Sequence, residues 1–385
     1  MNSNDKKALP TGRQALALHK KLRGKIRVVP AQPIRNKKDL ALVYTPGVAT
    51  VSSLVAKNPS LAREYTMKGR VIAVISDGSA VLGLGNIGAL GALPVMEGKC
   101  ALFKTFADVD AIPIVLDTQN ADEIVDTVVR VAPAFGGINL EDIAAPKCFD
   151  IERRLIEKLD IPVMHDDQHG TAIVVLAGLI NALKIVGKKI ETARVVISGA
   201  GAAGTAIANL LRIAGAGDIT ILDSKGIIGL HRNDLSEHKK ELVAFTNVHK
   251  QEGGLHTALK GADVLVGVSG PGLATAADIH LMANSAIVFA LANPSPEIMP
   301  DEARRGGAAV IATGRSDFPN QINNSLAFPG IFRGALDHGV HKITNEMKIR
   351  AAKAIAALVP KPTAQKIVPD MFDPRVAKAV AKVIR

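Results

Sequence analysis

Length, composition and charge exclude several classes of protein. The chain has 385 residues, of which 48% are hydrophobic, 22% charged and 3% aromatic, and it contains no Trp. This composition is typical of a soluble globular protein of about two domains. No run reaches the roughly 18 consecutive apolar residues of a membrane span, and the first ten residues have no apolar signal-peptide core, so we expect a cytoplasmic protein without a membrane partner.

The basic charge raises the question of nucleic acid. The net charge is +11 and the pI about 9.6, and basic residues are dense between Lys20 and Lys38. The stretch has no helix-turn-helix, interleaved aromatic residues or zinc pattern. It therefore favours a solvated basic face and no nucleic-acid partner, although such charge also attracts small polyanions.

The predicted elements fall into two regions. Residues 1–160 combine helices and short strands, with strands at 71–77 and 112–117 and a helix at 121–135. In residues 161–385, apolar strands alternate strictly with amphipathic helices, which predicts a doubly wound parallel sheet of the α/β class. A helix at 343–359 is expected to pack back across the two domains. The predicted strands of the second region cover 194–199, 218–223, 263–270, 286–293 and 308–314.

Two acidic segments lie at the ends of strand-like apolar runs. Glu141 and Asp142 form the first, and Asp166 and Asp167, within HDDQHGT, belong to the second. Three converging carboxylates would form an all-oxygen site of the kind that Mg²⁺ or Mn²⁺ prefers. The alternative is that these residues cap helices and bond loops, as most surface aspartates do.

Two glycine-rich loops match the spacing of a dinucleotide-binding turn. The loop at 199–204 directly follows a strand and opens a helix, and Asp223 ends the next strand, where it can accept from a ribose hydroxyl. The loop at 83–88 has the same spacing, but its strand ends several residues earlier, so we interpret it as a close-packed turn of the first domain. The predicted cofactor residues of the second domain are Gly199, Gly201, Ala202, Ala203, Gly204, Asp223 and Ser224.

Amides follow later strands of the second region. Asn293 stands at a strand end, where ligands of open parallel sheets bind, and is a candidate contact to the nicotinamide or the substrate. Asn324 lies in a loop, FPNQINNSLAFPG, whose amides could hold a carboxylate. Turn-forming asparagine is the alternative for both.

Eight strings along the chain are long and unusual. They are VYTPGVA, SDGSAVLGLGNIGALGALPVMEGK, FGGINLEDI, CFDIERRL, PVMHDDQHGTAIV, GAGAAG, FALANPSPEI and FPNQINNSLAFPGIFRGAL. In these strings and their order, the sequence resembles the malic enzyme family in its short prokaryotic form, over nearly the whole chain. The resemblance implies an N-terminal catalytic domain followed by a Rossmann-type NAD(P)-binding domain. It also implies metal-dependent oxidation and decarboxylation of L-malate to pyruvate.

The same resemblance implies catalytic roles. Lys99 aligns with the lysine that accepts the C2 hydroxyl proton, and Asp166 with a carboxylate beside it. Tyr44 aligns with the acid that protonates C3 of enolpyruvate. A lysine base needs a pKa below about 10.4, which burial beside a metal ion is expected to provide. The implied metal ligands are Glu141, Asp142 and Asp167.

The resemblance also implies how substrate is held. Asn293 and Asn324 align with the amides that bind malate. Larger family members have an arginine before the first glycine loop, where this chain has Ala80, so another group is expected to hold the second carboxylate. Nearby possibilities are Ser76, Gly78 and Ser79.

Cofactor preference is less directly indicated. Asp223 alone favours NAD, but Ser224 and Lys225 follow it, which is similar to NADP-using members. We therefore expect NADP with dual use possible, and Arg232, Lys239 and Lys240 are further basic residues for a 2′-phosphate.

Two alternative functions stay open from the sequence. A malolactic enzyme keeps NAD bound and makes lactate, and an inactive basic relative would serve as a binding module. The family resemblance implies a homodimer or homotetramer in which Tyr44 and Lys99 act across an interface.

Overall fold

Two β-sheets organise the chain in the computed structural model, which describes residues 12–81 and 83–385. All four strands of the first sheet are parallel. Every residue of its first strand is buried, as expected for a parallel sheet covered on both faces. The strands are β1 (Val71–Ser76), β2 (Asp110–Val115), β3 (Gly137–Leu140) and β4 (Val163–His165), in the spatial order β2-β1-β3-β4.

The second sheet is the predicted doubly wound one. Five of its described strands run parallel, and the short last strand in space is antiparallel to its neighbour. The strands are β5 (Arg194–Ser198), β6 (Asp218–Asp223), β7 (Gly226–Ile227), β8 (Val264–Gly267), β9 (Ile287–Ala290) and β10 (Val310–Thr313), in the order β10-β9-β8-β5-β6-β7. Because β5 lies between β6 and β8, the chain order reverses there and leaves a crevice beyond its carboxyl end.

Helices surround both sheets and confirm the α/β class. The helix predicted at 121–135 ends at Val131 and continues as one 3₁₀ turn, Ala132–Ala134. In chain order, the described α-helices are α1 (Gly12–Leu22), α2 (Lys37–Val43), α3 (Gly47–Lys57), α4 (Ala62–Tyr65), α5 (Gly88–Ala107), α6 (Ala121–Val131), α7 (Lys147–Lys158), α8 (Asp166–Val186), α9 (Ala202–Ile213), α10 (Glu237–Val243), α11 (Leu255–Leu259), α12 (Ala276–His280), α13 (Pro300–Arg305), α14 (Phe328–Asp337), α15 (Asn345–Ala357) and α16 (Arg375–Val383).

Helix α8 connects the two sheets. Its residues belong to one hydrophobic core that extends from Ile72 in β1 to Val195 in β5 and Ile355 in α15. The first sheet ends with β4, after the predicted domain boundary at residue 160; the division of the chain at that residue stays a prediction.

Two described stretches are long and apolar enough to cross a membrane. One is α8, of which 67% of the most apolar window is buried inside the protein, as in the core helix of a soluble fold. The other, Lys37–Lys57, consists of α2 and α3 and is not buried.

The C-terminal helices pack back on the first half of the chain, as predicted. Phe103 of α5 meets two rings of α14, those of Phe328 and Phe332, with ring centroids 4.7 and 5.5 Å apart. All three rings are fully buried. This contact joins the C-terminal segment to the helix that carries Lys99.

Residues 12–66, the N-terminal arm, differ from the rest of the fold. Helices α1–α4 contain no buried residue. Lys25 ties the arm to α5, since its N–H donates to Glu97 Oε2 at 3.1 Å and its ammonium to the Pro94 carbonyl at 2.5 Å. At least half of the side chain is exposed for several large apolar residues of the arm: Leu16, Leu18, Val28, Val29, Ile34, Leu42 and Tyr44.

Candidate active site

Three carboxylates converge where β3 and β4 end. Glu141 and Asp142 follow β3, and Asp167 lies in the first turn of α8, directly after β4. One oxygen from each lies within 4.8 Å of the others. Asp142 adopts a left-handed backbone conformation, with φ 53°, and its N–H donates to Asp167 Oδ2 at 2.8 Å. This clustered, largely buried oxygen set fits a hard divalent cation.

Lys99 lies beside this cluster. It is 7% exposed, and its Nζ is 2.7 Å from both Glu141 Oε1 and Asp166 Oδ2. The ammonium also lies 4.3 Å from the centroid of the Phe328 ring. The lysine thus bridges the cluster and Asp166, which is fully buried at the N-terminus of α8.

Burial and charge act in opposite directions on this lysine. Burial alone would lower its pKa, but Asp166 and Glu141 outweigh burial and the pKa of Lys99 is raised. The lowered pKa expected from the sequence is therefore not found in the metal-free protein, because two carboxylates contact the ammonium directly. Burial also raises the pKa of Glu141 and raises that of Asp166 to about 7, against the opposing effect of Lys99.

Gly170, on α8, leaves room for the side chains of both Asp166 and Asn324. A Cβ built on Gly170 would lie 1.8 Å from Asp166 Oδ1 and 3.1 Å from the Asn324 Cβ. Asn324 begins the 3₁₀ turn Asn324–Leu326, whereas the side chain of Asn323 is used locally and accepts from the Ser325 N–H at 2.9 Å. The structure therefore brings Asn324 to the lysine-carboxylate site.

Asn293 meets the glycine loop at 83–88 through its backbone, while its side-chain amide lies beside Gly314, where a Cβ would be 2.7 Å from Asn293 Nδ2. It follows β9, and a Cβ on Gly83 would lie 3.2 Å from the Asn293 carbonyl oxygen. The glycine loop at 83–88 thus packs against the carboxyl end of β9. Its described residues form the predicted tight turn, in which the N–H groups of Ile87 and Gly88 both donate to the Gly78 carbonyl.

The hydroxyls near Ala80 serve the loop itself. Ser79 Oγ donates to Asp77 Oδ1 at 2.6 Å and accepts from the Ala144 N–H at 2.9 Å. Ser76 Oγ accepts from the Gly78 N–H at 3.0 Å. Of the proposed holders of the second malate carboxylate, these serines therefore already have backbone or side-chain partners.

The loop at 199–204 has the geometry of a dinucleotide turn. Gly199 has φ +118°, and a Cβ there would lie 2.7 Å from the Val268 carbonyl oxygen. A Cβ on Gly204 would lie 1.7 Å from the Gly199 carbonyl oxygen. Helix α9 begins at Ala202, with Ala203 in its first turn. A cavity of about 710 Å³ opens over the loop, lined among others by Ala145, Gly201, Ser224 and Gly270.

Asp223, at the end of β6, is held by two cations. Arg232 donates to it at 2.7 and 3.2 Å and Lys239 at 2.7 Å. Partial burial acts to raise the pKa of Asp223, but these hydrogen bonds outweigh it and lower the pKa to about 2. Arg232 also binds Asp234 at 2.8 Å, as does Lys225 at 2.6 Å. Three basic side chains thus face two acidic ones beside the cofactor cavity.

Tyr44 lies on the surface of its own chain and is not buried in the lysine-carboxylate site. It caps α2 in the N-terminal arm and remains 65% exposed, whereas Lys99 is 7% exposed. The structure brings together Lys99, Glu141, Asp142, Asp166 and Asp167, but leaves the predicted acid on the surface of the single chain.

A network not predicted from the sequence, formed by Glu152, His169 and Lys348, lies behind the carboxylates. Glu152 Oε1 accepts from the His165 N–H at 2.7 Å, and Oε2 is 2.9 Å from His169 Nε2. Lys348 Nζ lies 3.0 Å from His169 Nδ1. The available signal was that Glu152 falls on the buried stripe of α7, at helical spacing from Cys148, Ile151 and Leu155.

Two family models together match most of the chain. A model described as the malic enzyme NAD binding domain matches residues 168–384, and one described as the malic enzyme N-terminal domain matches residues 23–123 and 118–156. This chain belongs to the malic enzyme family. Its relatives include the bifunctional malic/malolactic enzyme of Bacillus subtilis, 54% identical over 96% of this chain and 91% of the relative.

Other malic enzymes are similar over most of their length. The NADP-dependent malic enzyme of Halomonas elongata is 50% identical, covering 92% of this chain and 84% of the relative. The crystal structure of an NAD-dependent malic enzyme from Thermotoga maritima is 48% identical and superposes with a TM-score of 0.93, over 96% of this chain and 98% of that one. The malic enzyme assignment therefore favours an enzyme over an inactive binding module.

Proposed function

We propose that the protein catalyses the metal-dependent oxidative decarboxylation of L-malate to pyruvate and CO₂, with reduction of NAD(P)⁺. The observation that carries the proposal is the position of Lys99, whose Nζ lies 2.7 Å from both Glu141 and Asp166 at the edge of a three-carboxylate cluster. Mg²⁺ or Mn²⁺ held by Glu141, Asp142 and Asp167 would polarise the C2 oxygen and stabilise the negative charge of an enolate.

In this mechanism the protein side chains position substrate and move protons. A divalent cation at Glu141, Asp142 and Asp167 would offset the carboxylate charge that raises the pKa of Lys99, so that the lysine could be neutral when substrate binds. Neutral Lys99 takes the C2 hydroxyl proton, and bound NAD(P)⁺ would accept the hydride from C2. The C3–C4 bond of the resulting β-keto acid then breaks and releases CO₂. Tyr44 donates a proton to C3, so one proton is taken and one given and pyruvate results. Asp166 holds Lys99, and Asn293 and Asn324 bind the substrate carboxylates.

We infer NADP as the preferred cofactor, with NAD also accepted. In the group formed by Asp223, Asp234, Lys225, Arg232 and Lys239, the basic side chains outnumber the acidic ones, and a 2′-phosphate would add to the partners of Arg232 and Lys239. The ribose diol of NAD would meet Asp223, whose oxygens already accept from both cations. Ser224 offers a further donor.

We infer a cytoplasmic homodimer or homotetramer in which each site is completed by two chains. The N-terminal arm presents large apolar residues to solvent, and such residues are usually covered in a stable assembly. Tyr44 belongs to that exposed surface. Contact of the arm with a partner subunit would bring Tyr44 to the partner's lysine-carboxylate site.

Malolactic activity is the second candidate. It is favoured by the B. subtilis relative, which is named a bifunctional malic/malolactic enzyme. The two reactions share the same substrate and differ in whether reduced cofactor leaves with pyruvate or is reoxidised to give lactate.

The test incubates the full chain with L-malate and Mn²⁺, with NAD⁺ and NADP⁺ in separate reactions and EDTA as the control. Reduced nicotinamide is followed by absorbance, and pyruvate and lactate are quantified at the end. Metal-dependent reduced cofactor with equimolar pyruvate supports the proposal. Lactate without free reduced cofactor supports the malolactic alternative, and no turnover of malate by folded protein rejects both.

A further inference from the structure

A second cavity adjoins the dinucleotide cavity, and its lining includes none of the glycine-loop residues 199–204. It has a volume of about 700 Å³ and lies between α7, α9, α10 and α15. It shares only Pro146, Ser236 and His238 with the dinucleotide cavity. No step of the proposed reaction uses it.

The interior of this cavity offers hydrogen-bond donors. Lys348 lines it and is 8% exposed, and its ammonium lies 3.0 Å from His169 Nδ1. Gln168 and Thr205, 4% and 8% exposed, also line it. Within the described part of the chain, Gln168 Nε2 and Thr205 Oγ1 have no hydrogen-bond partner. Buried donors of this kind normally have partners.

Three acidic residues line the cavity; two are paired with basic residues, and the third, Glu241, is exposed at its edge. Asp150 pairs with Arg153 at 2.5 Å and Glu237 with Lys240 at 2.6 Å. Inside, burial lowers the pKa of Lys348 to about 8 and Glu152 acts to raise it, so the ammonium is predominantly protonated at pH 7. The interior therefore combines a positive charge with uncharged donors.

We propose that this cavity binds a small oxyanion, a phosphate or a carboxylate, through Lys348, Gln168 and Thr205. An oxyanion accepts several hydrogen bonds at once and gains from the ammonium charge in a site shielded from water. Glu152 balances the ammonium through His169, outside the cavity. The two donors without partners, Gln168 Nε2 and Thr205 Oγ1, call for a ligand that accepts several hydrogen bonds beside a positive charge, which is why the donor set favours an oxyanion.

The position of Lys348 links this cavity to the catalytic cluster. Lys348 contacts His169, His169 contacts Glu152, and Glu152 accepts from the His165 N–H, one residue before Asp166. An anion that draws Lys348 from His169 would alter the support of the first turn of α8. We therefore expect the bound anion to change the KM for malate. This kinetic effect rests on the proposed function, whereas binding of the anion to the cavity does not.

Binding is tested by calorimetry of the full chain with inorganic phosphate and, separately, with acetate. The tighter of the two identifies the oxyanion class. We expect Lys348→Met to weaken binding at least about tenfold, the value of one charge-assisted hydrogen bond. The matched control is Lys353→Met, which removes an exposed lysine of the same helix and should leave affinity unchanged. Equal affinity of wild type and Lys348→Met, or binding of neither anion, overturns the proposal.

Two further variants keep the test decisive. Thr205→Val removes a hydroxyl without changing side-chain volume, so it should weaken binding even if Lys348→Met fails to fold. Phosphate bound in the dinucleotide cavity would instead be lost in Lys239→Met and displaced by saturating NADP⁺. If phosphate binding is lost in Lys239→Met, is displaced by NADP⁺ and is unchanged in Thr205→Val, the second cavity is rejected as the anion site. Because calorimetry requires no turnover, failure of the proposed reaction would not change these outcomes.

Discussion

The Asp142 N–H donates to Asp167 Oδ2 at 2.8 Å. This hydrogen bond joins the segment after β3 to the first turn of α8. It holds one carboxylate oxygen of Asp167 against the backbone of Asp142. One oxygen from each of Glu141, Asp142 and Asp167 lies within 4.8 Å of the other two.

Loss of one carboxylate should weaken metal binding. We expect Asp167→Asn to reduce Mn²⁺ affinity at least about tenfold, because ligand charge strongly tunes the affinity of oxygen sites. Calorimetric titration with Mn²⁺ measures this directly. Asp160→Asn, which changes a carboxylate side chain 92% exposed to solvent, serves as the control. Equal Mn²⁺ affinity in Asp167→Asn and wild type would remove Asp167 from the metal site.

Removing the buried lysine should affect turnover. We expect Lys99→Met to lower kcat by roughly 10²- to 10⁴-fold, the range of a general base, with little change in the KM for NADP⁺. The control is Lys104→Met, on the exposed side of the same helix, where the lysine binds Asp108 and Asp110 at the surface. A Lys99→Met enzyme that melts like wild type and keeps its kcat would contradict the proposed base.

Arg232, which contacts Asp223, should determine the preference between NADP⁺ and NAD⁺. We expect Arg232→Gln to raise the KM for NADP⁺ by about tenfold or more, since a charge-assisted hydrogen bond contributes about 1.5–3 kcal/mol, and to change the KM for NAD⁺ less. Steady-state kinetics with both cofactors provides the ratio, and Arg304→Gln, at an exposed pair with Asp301, is the control. An equal effect on both cofactors would argue against a 2′-phosphate contact.

Mixed oligomers test whether Tyr44 acts across an interface. Tyr44→Phe and Lys99→Met chains, each inactive alone, are unfolded together, refolded and assayed. If sites are shared in a symmetric dimer, random pairing restores about a quarter of wild-type activity. Tyr65→Phe in place of Tyr44→Phe is the control, because that chain should be active before mixing. No recovery, despite mixed dimers detected by mass, would place Tyr44 and Lys99 of one site in one chain.

The network behind the site should make stability depend on pH. Burial raises the pKa of Glu152, but His169 and Lys348 outweigh it and lower the pKa from 4.5 to about 2. The carboxylate therefore stabilises the fold above pH 4.5, and this contribution is lost as pH falls through 2. We expect Glu152→Gln to lower the free energy of unfolding by about 3 kcal/mol at pH 7 and by less at pH 3. Urea titrations at both values measure the difference, and a deficit independent of pH would show that ionisation of Glu152 contributes nothing.

Local pattern was sufficient to predict the carboxylate cluster and the glycine-rich turn. Glu141 and Asp167 each follow a buried strand, and the carboxyl ends of neighbouring parallel strands meet at one edge of a sheet. The glycines at 199–204 follow a strand and open a helix in the sequence itself. The glycine turn depends on residues close together in the chain, and the carboxylate cluster depends on the alignment of neighbouring parallel strands.

Other parts of the site depend on packing that local pattern does not encode. Lys99 lies on α5, a helix that contains Pro94 and follows a glycine loop, which obscured the helical signal. Lys348 reaches His169 across 179 residues of sequence, because α15 packs on α8. The exposure of Tyr44 could not be predicted from the sequence either. An apolar helix has the same sequence pattern whether it packs on its own chain or on another chain.

The packing of Phe103 against Phe328 and Phe332 determines how the polypeptide could be divided. The ring of Phe328, near the end of the chain, forms a wall of the pocket around Lys99, which lies in the first third. No single cut between the two sheets would therefore yield an N-terminal fragment with an intact lysine environment. A split version of this enzyme would have to supply α14 to the N-terminal piece, and circular permutation would preserve the site better than truncation.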